Sequence, residues 1–148
     1  MDIKKVGLAR DHAGFAMKEF VKQYLDEKGI PYHDYGTYSE ESTDYPDYGH
    51  QLARGIENGD VYPGIAVCAT GEGMSMTLNK YQHIRAALCW IPKVAHLTRA
   101  HNNANVLVLP GKIIDNDTAR AIMDEYFSTD FEGGRHLRRI NKIPVDAC

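Results

Sequence analysis

Apolar runs and amphipathic stretches alternate along this chain from one end to the other. Val6-Gly7-Leu8-Ala9 is a short apolar run, with its strand spanning Lys5 to Ala9. Phe15 to Lys28 has Met17, Phe20, Val21, Tyr24 and Leu25 at helical spacing, and Gly29 follows where helices end. Ile30 to Tyr35 is a second, weaker strand whose Pro31 suits an edge position or a strand start. Tyr45, Tyr48, Leu52, Ala53 and Ile56 mark a helix capped near Thr43 or Asp44 and ended by Asn58-Gly59-Asp60. Gly64 to Cys68 is the third strand, and Gly73 to Lys80 the next helix. Ile84 to Cys89 is strand four. Pro92 sits at the first position of a further helix. Asn105 to Leu109 is strand five, Asp115 to Phe127 a helix, and Arg135 to Lys142 a last short helix after Gly133-Gly134.

Strands that alternate with helices predict a three-layer α/β/α sandwich. Its core is a doubly wound, Rossmann-like sheet of five parallel strands, with an extra C-terminal helix. If strand one lies centrally between strands two and three, the turns after Ala9 and Cys68 face each other across one crevice. That places Asp11 and His12 near Cys68 and Thr70. The chain of 148 residues suits one domain over 1–148, with no repeat or linker.

Composition narrows the classes of function. Forty-three per cent hydrophobic and 25% charged residues are globular values, and a net charge of −3 argues against nucleic acid or an anionic membrane as partner. The start of the chain lacks a signal-peptide h-region, and no apolar run reaches membrane-spanning length. Three cysteines without a C-x-x-C pair read as reduced thiols of a cytoplasmic protein. From Met74 to Ile114 there is no acid, while Lys80, Arg85, Lys93, Arg99, Lys112, His83, His96 and His101 all fall there. Chance clustering and a surface facing an anionic ligand account for this equally well.

Cys68-Ala69-Thr70-Gly71-Glu72-Gly73-Met74-Ser75 holds the densest candidate chemistry. A cysteine that ends a buried strand is usually a small hydrophobe. The helix N-terminus and free N–H groups beside it favour a thiolate and an anion. Gly71 and Gly73 begin a dinucleotide fingerprint, but Met76 takes the third glycine's place and no acid follows to hold a ribose, so no nicotinamide cofactor is expected. A cysteine-phosphatase loop needs arginine where Met74 stands. Asp11 serves equally as a helix cap. His101-Asn102-Asn103 reads as a helix C-terminus, at the wrong end of strand five for the crevice of its own subunit; any function there serves a neighbouring subunit. Arg135 and Arg139 share a helix face about 5–6 Å apart, with Leu137 and Ile140 on the other side. They form either a solvated basic face or a clamp for one phosphate. No H-x-x-x-H spacing or Cys/His quartet marks a metal site.

Several separated segments together resemble the ribose-5-phosphate isomerase type B family, which includes galactose-6-phosphate isomerase subunits. They are Asp11-His12-Ala13-Gly14-Phe15, Thr43-Asp44-Tyr45-Pro46, Cys68 to Gly73, Asn79-Lys80, Arg99-Ala100-His101-Asn102, Asn105-Val106-Leu107 and Glu132-Gly133-Gly134-Arg135-His136. The resemblance implies a metal-free, cofactor-free aldose–ketose isomerase of ribose 5-phosphate and ribulose 5-phosphate, acting through a cis-enediolate. It implies Cys68 as the base, and Thr70 and Asp11 for hydroxyl protons and sugar orientation. His101 from the partner subunit opens the furanose ring. The N–H groups of Gly71, Glu72, Gly73, Met74 and Ser75 form the hole for the enediolate oxygen. His12, Arg135 and Arg139 hold the phosphate, with Tyr45 beside the sugar and Asn102 and Lys112 at the substrate. A homodimer with shared sites, or a tetramer built from it, follows. The family more often has glycine at the place of Ala69 and arginine at that of Lys112. A six-carbon sugar phosphate such as allose or galactose 6-phosphate is the alternative substrate, and a non-catalytic sugar-phosphate binder the alternative class.

Overall fold

A computed structural model of the chain describes residues 1–38 and 41–145. Cys148 and two residues of the loop after Gly36 lie outside the described residues. The order of elements is β1 (Val6–Arg10), a 3₁₀ turn, α1 (Phe15–Glu27), β2 (Tyr32–Asp34), α2 (Tyr45–Glu57), β3 (Gly64–Cys68), α3 (Glu72–Leu78), β4 (Ala86–Leu88), α4 (Pro92–Asn102), β5 (Val106–Pro110), α5 (Asn116–Ser128) and α6 (Arg135–Ile140). All four pairings in the sheet are parallel, in the order β2-β1-β3-β5-β4. β1 therefore lies between β2 and β3, so the turns after β1 and β3 are neighbours, as expected for a central first strand.

The three central strands are buried along their whole length, which is why they read as unbroken apolar runs. Alternate side chains enter two cores. Ile65, Val67, Leu107 and Leu109 pack with Met17, Val21, Ile122 and Tyr126. Ala66, Cys68, Val106 and Val108 pack with Leu52, Ala53, Met74 and Leu78. The period of two thus points Cys68 at the layer made by α2 and α3.

The edge strands are shorter than their apolar runs. β2 starts after Pro31, which cannot donate to the ladder. β4 covers three residues of the six expected, because side-chain amides satisfy its flanks. Asn105 Oδ1 accepts from the Arg85 N–H at 2.7 Å, and Asn79 accepts from the Ala86 N–H at 2.8 Å and donates to its carbonyl at 3.0 Å. Such amide brackets carry no periodic signal. At α6 the expected apolar side is half wrong: Ile140 is buried, Leu137 is 48% exposed, and His136 fills the buried place one turn before Ile140.

A buried charge cluster anchors the loop after β2. The Lys18 ammonium lies 2.6 Å from Asp34 and donates to the Thr37 carbonyl at 3.0 Å, while Lys22 reaches the same carboxylate at 2.7 Å. Burial pushes the Asp34 carboxyl up, but hydrogen bonds from Lys18, Lys22 and the Gly36 N–H outweigh it and hold it below its ordinary value. A depressed carboxylate stabilises the fold above its unfolded value of about 4 and loses that contribution as pH falls through the folded one. Asp34→Asn leaves a buried ammonium uncompensated and should lower stability by about 3 kcal/mol in urea unfolding at neutral pH. The difference from wild type should shrink as the pH is lowered below about 4; a gap that is constant with pH would contradict this account.

Candidate active site

The site is built around the sulfur of Cys68. The register that sets Cys68 beside Pro110 also ends β3 there, and the chain turns at Gly71 into α3. Gly71 has φ of 81°, and a Cβ on it would stand 2.4 Å from Leu88 Cδ1. Only glycine takes both that backbone and that contact without strain. The turn points the N–H groups of Gly71, Gly73 and Met74 at the thiol. These N–H groups favour the thiolate, as the sequence suggests. Burial is the larger effect, and with the Asp11 carboxylate nearby it pushes the thiol above its ordinary value. The expected net push toward thiolate is thus reversed, because a side chain 4% exposed loses more hydration than the N–H groups restore.

The other N–H groups of the turn are already engaged. Glu72 donates to Thr70 Oγ1 at 3.3 Å, and Ser75 donates to the Gly71 carbonyl at 3.1 Å, with its hydroxyl on the same carbonyl at 2.8 Å. Of the expected stretch from Gly71 to Ser75, Gly71, Gly73 and Met74 face the sulfur. The Met74 side chain is fully buried in the core, so only its backbone reaches the site. Tyr45, at the start of α2, packs against Gly73, where an added Cβ would sit 2.6 Å from the ring.

The turn after β1 closes the other side. The Asp11 N–H donates to the Val67 carbonyl at 3.3 Å, and Asp11 Oδ1 accepts from the Gly14 N–H at 3.1 Å. Asp11 therefore caps the 3₁₀ turn and also stands close enough to Cys68 to act on its charge. His12 Nδ1 accepts from the Thr43 N–H at 3.1 Å. In a neutral ring this places the proton on Nε2, which is then free to donate. Lys112 is tied in by its backbone, its N–H donating to the Ala69 carbonyl at 3.0 Å, and its side chain is exposed.

His101, Asn102, Arg135 and Arg139 form a separate group. Asn102 is the last residue of α4, and Asn103 takes the left-handed cap at φ 47°. This group lies at the start of β5, whereas Cys68 lies level with its end at Pro110. Four residue steps along a strand separate the two levels, about 13 Å. His101 stacks on His136 with ring centres 4.3 Å apart. Arg135 and Arg139 are exposed and make no ion pair among the described residues. Burial first, then Arg135 and His101, hold His136 below its ordinary value.

Three assignments were not legible in the sequence. His136, between Arg135 and Arg139 of the basic helix, is 6% exposed, a burial with no signal in the sequence. Arg85 and Arg99, part of the acid-free segment, are not aimed at an anion: both donate to α4's C-terminal end, on the carbonyls of Asn102, Asn103 and Ala104. A hollow of about 610 Å³ runs along β4 beside Tyr81, Arg85 and Thr98, and does not include Cys68.

A doubly wound α/β sandwich with its reactive side chains at the carboxyl ends of β1 and β3 is a small-molecule site at a topological switch point. The model of the ribose/galactose isomerase family matches residues 6–143, and the chain belongs to that family. Ribose-5-phosphate isomerase B of Escherichia coli (strain K12) is 40% identical over 141 residues, which are 95% of each chain. A crystal structure of a ribose 5-phosphate isomerase from Thermotoga maritima superposes with a TM-score of 0.93 at 54% identity, covering 95% of this chain and 97% of that one. A crystal structure of ribose-5-phosphate isomerase B from Mycoplasma genitalium with bound ribulose-5-phosphate superposes with a TM-score of 0.88 at 38% identity, covering 94% and 93%.

Two outcomes check this geometry. Alkylation of Cys68 by iodoacetamide, followed by peptide mapping, should rise about tenfold per pH unit up to and beyond pH 8, since the thiol ionises above its ordinary value. A plateau below pH 7 would contradict the dominance of burial. Gly71→Ala should cost about 1–2 kcal/mol in stability, the strain of a left-handed alanine, and should slow turnover by displacing the N–H groups from the sulfur. Unchanged stability and rate would contradict the role given to this turn.

Proposed function

We propose that this chain is a ribose-5-phosphate isomerase that interconverts the aldose ribose 5-phosphate and the ketose ribulose 5-phosphate. The observation that carries the reading is the buried thiol at a parallel-strand end, ringed by three backbone N–H groups, in a chain of this family. The thiolate of Cys68 takes the proton from C2 and returns it to C1. The N–H groups of Gly71, Gly73 and Met74 steady the negative charge, first on the sulfur and then on the enediolate oxygen as the proton moves. Burial makes the thiolate scarce at neutral pH but a stronger base once formed. Thr70 and Asp11 move the hydroxyl protons, and no metal or cofactor takes part.

His12 donates from Nε2 to the phosphate, and Arg135 and Arg139 complete its clamp, with Lys112 and Asn102 at the substrate and Tyr45 beside the sugar. The separation along β5 supports a site shared between subunits: His101 opens the furanose ring for the Cys68 of a second copy. The active form is then a homodimer, or a tetramer built from it, with residues 1–148 as one isomerase domain. Free thiols at Cys68 and Cys89 suit a reducing cytoplasm. Among the described residues no helix is long and apolar enough to cross a membrane.

Purified protein given ribose 5-phosphate should release ribulose 5-phosphate equally with and without a chelator. No ketose would remove the isomerase reading, and ketose only from allose or galactose 6-phosphate would move it to a six-carbon sugar. Cys68→Ala and His101→Ala should each lose at least about a thousandfold in kcat, the range of a missing base. Mixed and re-associated, the two dead variants should recover about a quarter of wild-type activity, because half the dimers carry one intact site. No recovery, with mixed dimers demonstrated, would place both residues in one subunit's site.

A further inference from the structure

His101, Glu132 and His136 come from three places in the sequence: the end of α4, the loop after α5 and the start of α6. The fold nevertheless gathers their ligand atoms within 4.8 Å of one another. Glu132 Oε2 lies 3.8 Å from His101 Nε2, and its Oε1 lies 3.5 Å from His136 Nε2. The gathering is held by the backbone as well. The Glu132 N–H donates to the Ala100 carbonyl at 3.0 Å, which pins the loop to α4, and the His136 N–H donates to the Gly133 carbonyl at 3.1 Å.

A second observation points to ligand binding at this cluster. His136 is 6% exposed, and among the described residues its buried Nε2 has no hydrogen-bond partner. A buried polar atom left unpaired costs about 1–3 kcal/mol, and such an atom ordinarily has a partner. This nitrogen faces a carboxylate and a second imidazole, the donor set that borderline transition metals prefer.

We infer that His101, Glu132 and His136 form a binding site for one divalent transition-metal ion of the zinc class. Three such ligands around a tetrahedral ion stand about 3.4 Å apart, given bonds near 2.0–2.2 Å, and leave the fourth position to solvent or to an anion. The present spacing needs a modest contraction, and the nearly parallel imidazoles, 10° apart, must splay so that both lone pairs converge. The side chains able to move are the open ones. His101 is 39% exposed and Glu132 54%, while the buried His136 supplies the fixed point. Arg135 and Arg139 stand close by and oppose the ion's charge. The site is therefore one that loads at raised metal concentration rather than one that holds a resident cofactor. It also ties up His101, so loading inhibits the isomerase; that consequence rests on the ring-opening role proposed above, and the binding does not.

Cobalt(II) is the probe, titrated into the untagged, full-length protein. One equivalent per chain should bind with visible d–d absorption and without the near-ultraviolet charge-transfer band that thiolate ligation gives. Glu132→Gln, at an exposed position that tolerates the change, should weaken binding at least about tenfold. His136→Asn should abolish it, while His96→Asn, which alters a separate His–Glu pair, should leave it intact. No binding up to millimolar Co²⁺, a charge-transfer band, or full binding by Glu132→Gln would each overturn the site. Stoichiometric binding that leaves turnover unchanged would uphold the site and refute the role of His101.

Discussion

The thiol proposed as the base sits where ionisation is costly, and the arrangement around it follows from that conflict. Cys68 is nearly sealed from solvent, and burial outweighs the N–H groups that face it. Those N–H groups are available only because Gly71 turns left-handed and ends the strand abruptly. The turn fits only because Leu88 leaves no room for a side chain at Gly71 and Tyr45 leaves none at Gly73. Sheet, turn and α2 are thereby locked to one another around a single sulfur atom. A dry, preoriented set of dipoles acts strongly on charge that forms within it, which suits a reaction whose intermediate carries negative charge.

The second constraint is distance. The parallel sheet puts the chain's reactive groups at both ends of β5, and a rigid strand cannot bring them together. The two ends carry different chemistry: a thiol with its N–H groups at one, and imidazoles with two guanidiniums at the other. The proposed two-fold pair of chains would bring unlike ends together twice, giving each half-site its complement without any movement within the subunit. In the proposed dimer, Arg135 and Arg139, which make no ion pair among the described residues, would meet the substrate's phosphate.

Much of this was legible beforehand, for a physical reason. Buried parallel strands must be apolar throughout, so β1, β3 and β5 announce themselves, and β3 matches its expected bounds from Gly64 to Cys68. With β1 central, as the sequence reading supposes, the crevice follows and brings Asp11 to Cys68. What escaped was decided by contacts between distant residues. The bracketing of β4 by Asn79 and Asn105 has no period, and the burial of His136 depends on how α6 meets α4. The Arg85 and Arg99 side chains, which in sequence fit an anion-facing surface as well as chance, donate in the fold to carbonyls at and just past the end of α4. The balance at Cys68 is likewise invisible in sequence, because it sets burial against dipoles and both arise only on folding.

The central claim is that the loop from Gly71 to Met74 serves the sulfur and the enediolate, and that the phosphate is held elsewhere. A crystal structure of Cys68→Ala with ribose 5-phosphate tests it most directly. The account predicts C1 and C2 of the sugar over residue 68, and the phosphate between His12 of one subunit and Arg135 and Arg139 of another. A phosphate seated on the N–H groups of Gly71, Gly73 and Met74 would contradict it.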